Sequence, residues 1–231
     1  MTLALERTRD GLRASEPQAP DAIVRSARTA ERRSRPFAHW RLADVLPQTT
    51  AEELARLPLE PSPAGGDWGQ RERHNDTRRY LAGEMLDAFP AARAVACAFQ
   101  APAVVAALAA LTGTLLAGGF LRIEYALDVD GFWLEPHTDL GVKLLTLLVQ
   151  FPAPGQEGLG TDLYWDAGRW AERTPFAWNA ALAFAPSDRT WHGFEPRPIV
   201  GVRRSLLVNY VSPAWRSREQ LAFPDRPVGL G

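Results

Sequence analysis

The 231-residue chain is poor in the residues from which most disulfide and metal frameworks are built. It contains one cysteine, Cys97, and four histidines. A single cysteine excludes an intrachain disulfide framework and any thiolate-rich zinc or iron–sulfur site. A metal site in this chain must therefore be built from histidine and carboxylate ligands.

Lysine is almost absent, and neither sign of charge dominates. Of the 26 basic residues, Lys143 is the only lysine, and the formal net charge is −1. We interpret the abundance of arginine as a coding bias, so no arginine is notable for its identity alone. The chain also lacks the basic footprint that nucleic-acid binding requires, and we expect no nucleic-acid partner.

Long apolar runs are scarce as well. The N-terminal sequence MTLALERTRD has five residues before its first charge, too few for a secretory apolar segment. The longest uncharged run, 94–121, is dominated by alanine and interrupted by Pro102 and several glycines. It predicts a buried helix over 101–116 that ends in a glycine stop, rather than a membrane span. We expect a cytoplasmic protein that has no membrane partner.

Composition divides the chain into three parts. Residues 1–35 are rich in arginine, alanine, serine and proline and show little periodicity, which predicts a flexible N-terminal arm. Residues 36–118 carry helical patterns and predict a helical buttress. Residues 119–231 predict a β core, and 36–231 should form one compact domain.

The buttress should contain two further helices. Thr50 and Glu53 have the spacing of a capping box, so a short helix should begin at Thr50. Another helix is predicted over Arg79–Phe89. His39 and His74 have no ligand-type companions here, so we expect His39 to be packed or at the surface and His74 to be exposed.

After Gly119 the pattern changes from helical to extended. Seven short runs rich in β-branched, leucine and aromatic residues are separated by turn-prone stretches such as DVDG. Successive strands without intervening helices predict an antiparallel sandwich or barrel rather than a parallel α/β sheet. The seven runs are FLRIEYALDV, FWLEPHTD, VKLLTLLVQF, TDLYW, AALAFAP, TWHGFE and RRSLLVNYV.

The two histidines of this β region have a spacing that suits a metal site. His137 and Asp139 are two residues apart on an extended chain, so their side chains point to the same side. His192, on a later predicted strand, can complete three ligands through strand pairing. Two imidazoles and one carboxylate leave three octahedral positions open, which is the arrangement of non-haem Fe(II) oxygenases.

The last predicted strand carries candidates for binding a dianionic cosubstrate. Arg203 and Ser205 alternate onto one face of this strand, and a guanidinium group can bind a carboxylate bidentately. The adjacent Arg204 remains an alternative anchor, although alternation favours Arg203. Asn209 shares the Arg203 face and is a candidate for reaching the metal pocket or the substrate.

With these motifs in this order, the sequence resembles the 2-oxoglutarate/Fe(II)-dependent oxygenase superfamily, in particular its prolyl-hydroxylase-like, small bacterial members. The resemblance covers residues 119–211 and is carried by RIEYALDVDGFWLEPHTD, VKLLTLLVQF, NAALAFAPSDRTWHGFEPR and GVRRSLLVNY. It implies a mainly β protein with N-terminal helices and a double-stranded β-helix (jelly-roll, cupin-like) core.

The resemblance also implies a reaction. Fe(II) would be bound by His137, Asp139 and His192, and 2-oxoglutarate would chelate it with its far carboxylate on Arg203 and Ser205. Reaction with O2 would release succinate and CO2 and hydroxylate a small-molecule, sugar-containing or peptidyl substrate through a ferryl-oxo intermediate. Halogenating relatives lack the carboxylate ligand, so Asp139 favours hydroxylation or another oxidation over halogenation.

Four more residues are candidates from the resemblance or from strand alternation. Tyr125 matches a tyrosine that often lines the pocket, so it could touch 2-oxoglutarate or substrate. Gln150 occupies the place of a tyrosine that contacts the cosubstrate in many hydroxylases. Trp133 and Glu135 alternate with His137 and could contact substrate.

Other interpretations remain open. Lys143 is either a solvated residue at a strand edge or a cation at the pocket mouth that pairs with an acidic substrate group. The whole chain could be a non-catalytic jelly-roll module that binds a metal or a carboxylate as a sensor or scaffold. It could also be a zinc hydrolase that uses the same three ligands, with Glu135 as the one available general base.

Overall fold

The computed structural model describes residues 18–61, 69, 78–139 and 141–229. Its helices are α1 (Ala19–Arg28), α2 (Gln48–Ala55), α3 (Glu84–Ala88), α4 (Pro90–Gln100) and α5 (Pro102–Thr112). Its strands are β1 (Glu31–Arg33), β2 (His39–Leu42), β3 (Arg78–Tyr80), β4 (Phe120–Asp128), β5 (Leu134–His137), β6 (Lys143–Phe151), β7 (Asp162–Asp166), β8 (Arg169–Arg173), β9 (Ala181–Phe184), β10 (His192–Phe194) and β11 (Arg203–Val211).

These strands form two antiparallel sheets. The larger sheet has the order β1-β2-β9-β6-β11-β4-β3, and the smaller one has the order β5-β10-β7-β8. Neighbouring strands are often distant in sequence, so the chain crosses repeatedly between the sheets. This is the arrangement of a jelly roll, as the sequence predicts.

The helices cover one face of the larger sheet. Alternate residues of the central strands, such as Ile123 of β4 and Val208 of β11, are fully buried in the same apolar cluster as Leu54, Phe99 and Leu108 of α2, α4 and α5. Since side chains on a strand alternate between faces, the other residues of β4 and β11 point toward the smaller sheet. The face of the larger sheet that is directed away from the helices can therefore contribute side chains to a binding site between the two sheets.

Most of the predicted arm that can be described is folded, so that part of the prediction is wrong. α1 buries Ala22, Ile23 and Ala27, and β1 pairs with β2 over its whole length. Arginines interrupt the apolar positions of α1 in the sequence, yet Ile23 and Ala27 are four residues apart and share a helix face. Residues 1–17 of the predicted arm lie outside the described residues, and so does His74.

The two short predicted helices have different bounds in the structure. α2 begins at Gln48, after Pro47, so Thr50 lies inside the helix and the predicted capping box does not form. Residues 78–80 belong to β3, because they pair with β4, and only Glu84–Ala88 of the second predicted helix is helical. Pro47 sets the start of α2 before Thr50, and the pairing of residues 78–80 with β4 overrides their helical sequence pattern.

The alanine-rich run forms α4 and α5. One helix over 101–116 is predicted here, but α5 ends at Thr112, and Gly113 terminates it in a left-handed conformation (φ 71°) inside the predicted span. A glycine ends the helix, as predicted, but four residues earlier than predicted. Among the described helices, none is long and apolar enough to cross a membrane alone. α4 and α5 meet that criterion only as a pair, by length and composition, and they are bent by 60° relative to one another.

The β region contains eight strands rather than the seven predicted. The additional strand is β8, with the sequence RWAER, which pairs only with β7 at the edge of the smaller sheet. Its charged composition is typical of edge strands and gives little strand signal in the sequence.

His39 lies on β2 and is completely buried. Its Nδ1 is 3.1 Å from the carbonyl oxygen of Phe37, and its Nε2 is 3.6 Å from Oε1 of Glu172 on β8. Burial lowers the pKa of this imidazole, because a buried cation loses its hydration; Arg41 and Arg33 add to that effect, and Glu172 opposes it. His39 is therefore packed and neutral at physiological pH.

We expect the protein to lose stability as the pH falls below the ordinary histidine pKa of about 6.5, because the unfolded chain then takes up a proton that folded His39 resists. His39→Phe should reduce the decline in Tm between about pH 7.5 and 5.5. Thermal denaturation across this pH range measures the effect. An identical decline in both proteins would contradict the assignment to His39.

Candidate metal centre and cofactor cavity

His137, Asp139 and His192 meet in a cavity between the two sheets. Each offers one ligand atom, and these atoms all lie within 4.8 Å of one another. His137 ends β5 and His192 begins β10, and the two residues are directly opposite each other in the antiparallel pair. Strand pairing thus joins residues that are far apart in sequence.

Backbone carbonyls orient both imidazole rings. Nδ1 of His137 lies 2.9 Å from the carbonyl oxygen of Glu135, and Nδ1 of His192 lies 2.9 Å from that of Thr190. A carbonyl oxygen can only accept, so Nδ1 carries a proton in both rings, and in the neutral form of each ring the lone pair is on Nε2. This is the tautomer that a metal ion bound through Nε2 requires.

The third group, Asp139, accepts hydrogen bonds through both of its carboxylate oxygens. Its carboxylate is almost completely buried, and it accepts a hydrogen bond from Lys143 Nζ to Oδ1 and another from Thr146 Oγ1 to Oδ2, each 2.6 Å long. Burial alone would raise the pKa of Asp139, but Lys143, His192 and these hydrogen bonds hold it well below its usual range. The carboxylate is ionised, as a metal ligand must be.

Lys143 reaches the cavity because β6 is irregular at its start. Val211 is opposite Lys143 and Tyr210 is opposite Leu145, so one residue of β11 spans two of β6. This bulge brings Lys143 to the same side as Thr146. Its side chain is 14% exposed, so the interpretation as a solvated edge residue is wrong, and its partner within the protein is Asp139.

Arg203 and Ser205 line the same cavity. Arg203 donates from Nε to the carbonyl oxygen of Leu159 (2.8 Å) and from Nη1 to Oδ2 of Asp128 (2.5 Å). The hydroxyl oxygen of Ser205 is buried, and it has no hydrogen-bond partner among the described residues. A buried orphan hydroxyl beside a buried guanidinium is a place where a ligand carboxylate would complete the hydrogen bonding.

Tyr125 and Arg204 lie on the opposite face of the larger sheet, which corrects the assignment of Tyr125 to the pocket. The Tyr125 hydroxyl donates to the carbonyl oxygen of Leu54 (2.7 Å), and burial raises its pKa to about 12. Tyr125 alternates with residues that pack against the helices, and Arg204 interacts with it there. The cavity therefore contains Arg203 and not Arg204.

A bulge in β5 overturns the expectation that Trp133 and Glu135 share the face of His137. His192 is opposite His137 but Phe194 is opposite Leu134, so three residues of β5 span two of β10. The extra residue reverses the alternation, and Leu134 lines the cavity with His137. Trp133 is 36% exposed and Glu135 is also exposed, and neither lines the cavity.

Gln150 and Asn209 are on the cavity side of their strands but support its wall instead of lining it. Gln150 accepts a 2.9 Å hydrogen bond from the backbone nitrogen of Ala177 through Oε1. Oδ1 of Asn209 lies 3.1 Å from Oγ1 of Thr146, whose one proton is donated to Asp139, and the Asn209 amide nitrogen donates to Glu124.

Sequence reasoning missed Arg78 and Asp128. Arg78 of β3 lines the cavity, and its Nη1 donates to Oδ1 of Asp128 at 2.6 Å. Alternation along β4 could have placed Asp128 on the cavity face, since it shares parity with Arg122 and Glu124. Arg78 precedes a stretch predicted as helix, so nothing local marked it as part of a strand.

Apolar side chains complete the cavity and limit the contact of water with it. They come from both sheets and from the loop before β5. They are Phe132, Leu134, Leu148, Phe194 and Leu207.

No family model and no curated protein matches the chain. A solved prolyl hydroxylase from Trichoplax adhaerens, in complex with a hypoxia inducible factor oxygen degradation domain peptide fragment, is similar with a TM-score of 0.57 and 13% identity, over 84% of this chain and 89% of that one. A prolyl 4-hydroxylase from Phytophthora capsici has a TM-score of 0.54 and 11% identity, over 85% and 65%.

The non-heme alpha ketoglutarate dependent epimerase SnoN from nogalamycin biosynthesis has a TM-score of 0.51 and 18% identity, over 94% of this chain and 92% of that one. At such identities the similarity shows the fold. The predicted jelly-roll fold, as in 2-oxoglutarate/Fe(II) oxygenases, is confirmed.

Because Tyr125 is outside the cavity, Tyr125→Phe should lower the free energy of unfolding by about 1 kcal/mol, the usual contribution of a buried hydrogen bond. It should leave the Mn(II) affinity of the protein unchanged. Tyr210→Phe is the matched control, since the Tyr210 hydroxyl also donates to a helix carbonyl, that of Phe99. Urea denaturation and metal titration give the two readouts, and a metal-affinity loss confined to Tyr125→Phe would contradict the placement.

Proposed function

We propose that this protein is an Fe(II)/2-oxoglutarate-dependent oxygenase that hydroxylates a small-molecule, sugar-containing or peptidyl substrate. The observation that carries the proposal is the presence, in one cavity, of a His-Asp-His ligand set together with Arg203 and the unsatisfied hydroxyl of Ser205. The fold alone would not carry it, because one fold supports many functions.

The residues present fit a non-haem iron. His137 and His192 would bind it through Nε2 and Asp139 through a carboxylate oxygen, and this donor set leaves positions for other ligands. When bound, the iron supplies the activation of O2 and the oxidation of an unreactive C–H bond. The other residues of the cavity would bind 2-oxoglutarate, orient the metal ligands or shield the reaction from water.

The protein's own groups divide these tasks. Arg203 and Ser205 would bind the far carboxylate of 2-oxoglutarate, which would satisfy the Ser205 hydroxyl. Lys143 and Thr146 fix the orientation of Asp139, so little reorganisation is needed on metal binding. The apolar wall excludes water, which protects reactive species from side reactions.

The classes of substrate are supported by proteins of the same fold. One of the similar structures is a prolyl hydroxylase with a peptide fragment, and another is an epimerase of nogalamycin biosynthesis. A peptidyl side chain and a small molecule are therefore both reasonable substrates for a cavity of this architecture.

The zinc hydrolase alternative is less well supported. That reaction needs a general base close to the metal, and Glu135 is exposed on the other side of β5. Among the described residues that line the cavity, Asp139 is the one carboxylate, and it belongs to the ligand set.

Anaerobic addition of Fe(II) and 2-oxoglutarate should produce a visible charge-transfer absorption band, and oxygen should then release succinate. His137→Ala and Asp139→Ala should each abolish the band, because each removes a ligand, whereas His39→Phe removes a histidine outside the cavity and should retain it. Binding without succinate release across a broad substrate panel would favour a sensor or scaffold. Zinc-dependent hydrolysis without any need for 2-oxoglutarate would favour a hydrolase.

The two adjacent arginines allow a matched comparison. Arg203→Ala should weaken binding of 2-oxoglutarate by about a hundredfold, since it removes a buried charge-assisted contact. Arg204→Ala should have little effect, because Arg204 lies on the opposite face of the sheet. Calorimetric titration of the Mn(II)-loaded protein measures both affinities, and the reverse order of effects would contradict the register of β11.

A further inference from the structure

Asp128 is a buried carboxylate shared by two arginines in the wall of the cavity. Its exposed fraction is 1%, and it accepts hydrogen bonds from Arg78 to Oδ1 and from Arg203 to Oδ2. Burial would raise the pKa of Asp128, but the two guanidinium groups hold it below its usual range, so the group is ionised. The three side chains together carry one net positive charge.

Without Arg78, this carboxylate would oppose the binding of an anion. Asp128 and Arg203 alone form a neutral pair, and a ligand carboxylate would meet a negative oxygen close to its binding site. Charges interact strongly in a buried environment, because the effective dielectric constant there is low. The second arginine restores the single positive charge that a carboxylate ligand requires.

The position of Arg78 is fixed by the fold. β3 pairs with β4 so that Arg78 is opposite Ala126, whose small side chain lets the guanidinium extend toward Asp128. Its guanidinium carbon lies 5.4 Å from the ring centroid of Phe132. Burial would lower the pKa of Arg78, but Asp128 and Glu124 raise it above the usual value, so Arg78 keeps its charge.

The guanidinium of Arg203 is equally constrained. Its Nε and Nη1 are directed to Leu159 and Asp128, and its carbon lies 4.7 Å from the ring centroids of both Phe176 and Phe194. The remaining nitrogen, Nη2, is the one left for a ligand. Arg203 therefore depends on its neighbours for its orientation and for the local net charge.

We propose that Arg78 is a positioning residue for the cosubstrate: by neutralising Asp128, it allows Arg203 to bind the far carboxylate of 2-oxoglutarate. This inference rests on the proposed function. It also assigns a specificity, because the three charged groups act on the second carboxylate and not on the keto-acid end of the ligand. Asp128 fixes Arg203 in place, and Arg78 compensates for the charge of Asp128.

The test is a double-mutant cycle on the full-length, Mn(II)-loaded protein, with 2-oxoglutarate affinity measured by calorimetry. Arg78→Met should weaken binding by about ten- to a hundredfold, the contribution of a charge-assisted hydrogen bond. Arg78→Met/Asp128→Asn should recover most of the affinity lost in Arg78→Met and bind within about threefold of the wild-type protein, because removing both charges restores the single net positive charge beside the ligand.

A second ligand separates this role from a general structural one. 2-Oxopentanoate has the same keto-acid end but no second carboxylate, so Arg78→Met should leave its affinity unchanged. Arg173→Met is the matched control protein: Arg173 and Arg197 share the buried Asp162, as Arg78 and Arg203 share Asp128, but they lie outside the cavity. This control should lower Tm without changing 2-oxoglutarate affinity.

Each outcome of these measurements either supports or contradicts the role of Arg78. An unchanged 2-oxoglutarate affinity in Arg78→Met, an equal loss for both ligands, or a double variant that binds as weakly as Arg78→Met would overturn the inference. If Arg78→Met alone does not fold, the double variant still decides, because an affinity far below that of the wild-type protein would overturn the inference. A wild-type protein that does not bind 2-oxoglutarate would instead contradict the proposed function.

Discussion

The alternation of side chains across the larger sheet is the constraint on which the rest of this protein depends. β11 lies between β4 and β6, and every second residue of each strand packs against the helices. The others face the smaller sheet and form the cavity. Tyr125 and Arg204 belong to the first set and Arg203 and Ser205 to the second, although Arg203 and Arg204 are neighbours in sequence. A shift of one residue in register would exchange the two sets and eliminate the site.

Two bulges modify this alternation where the site needs it. The bulge in β5 turns Leu134 and His137 to the same side, and the one in β6 brings Lys143 to the side of Thr146. Bulges re-aim side chains locally without changing the pairing of the remaining strand. The ligand set and the group that holds Asp139 thus depend on departures from regular strand geometry.

Among the described residues, the side chains of three aspartates are buried in the same way. Asp128, Asp139 and Asp162 each accept hydrogen bonds from two or more donors on neighbouring strands or loops. An ionised carboxylate is costly to bury unless its oxygens are paired and hydrogen-bonded, so each aspartate requires a particular arrangement of strands around it. Two of these three clusters face the cavity, where the paired groups also determine its charge.

The sequence by itself determined the fold class, because strand periodicity is a local property of the chain. It also named His137, Asp139, His192 and Arg203 as candidate site residues, because their types and their order along the chain can be read without the structure. It did not determine which other residues join them. The pairing of β3 with β4 places Arg78 in the cavity, and the bulge in β5 turns Glu135 away from it. Such outcomes depend on register between distant segments, and no local pattern contains that information. The tertiary structure decided the charge and the lining of the site, because only it sets which buried groups share a carboxylate.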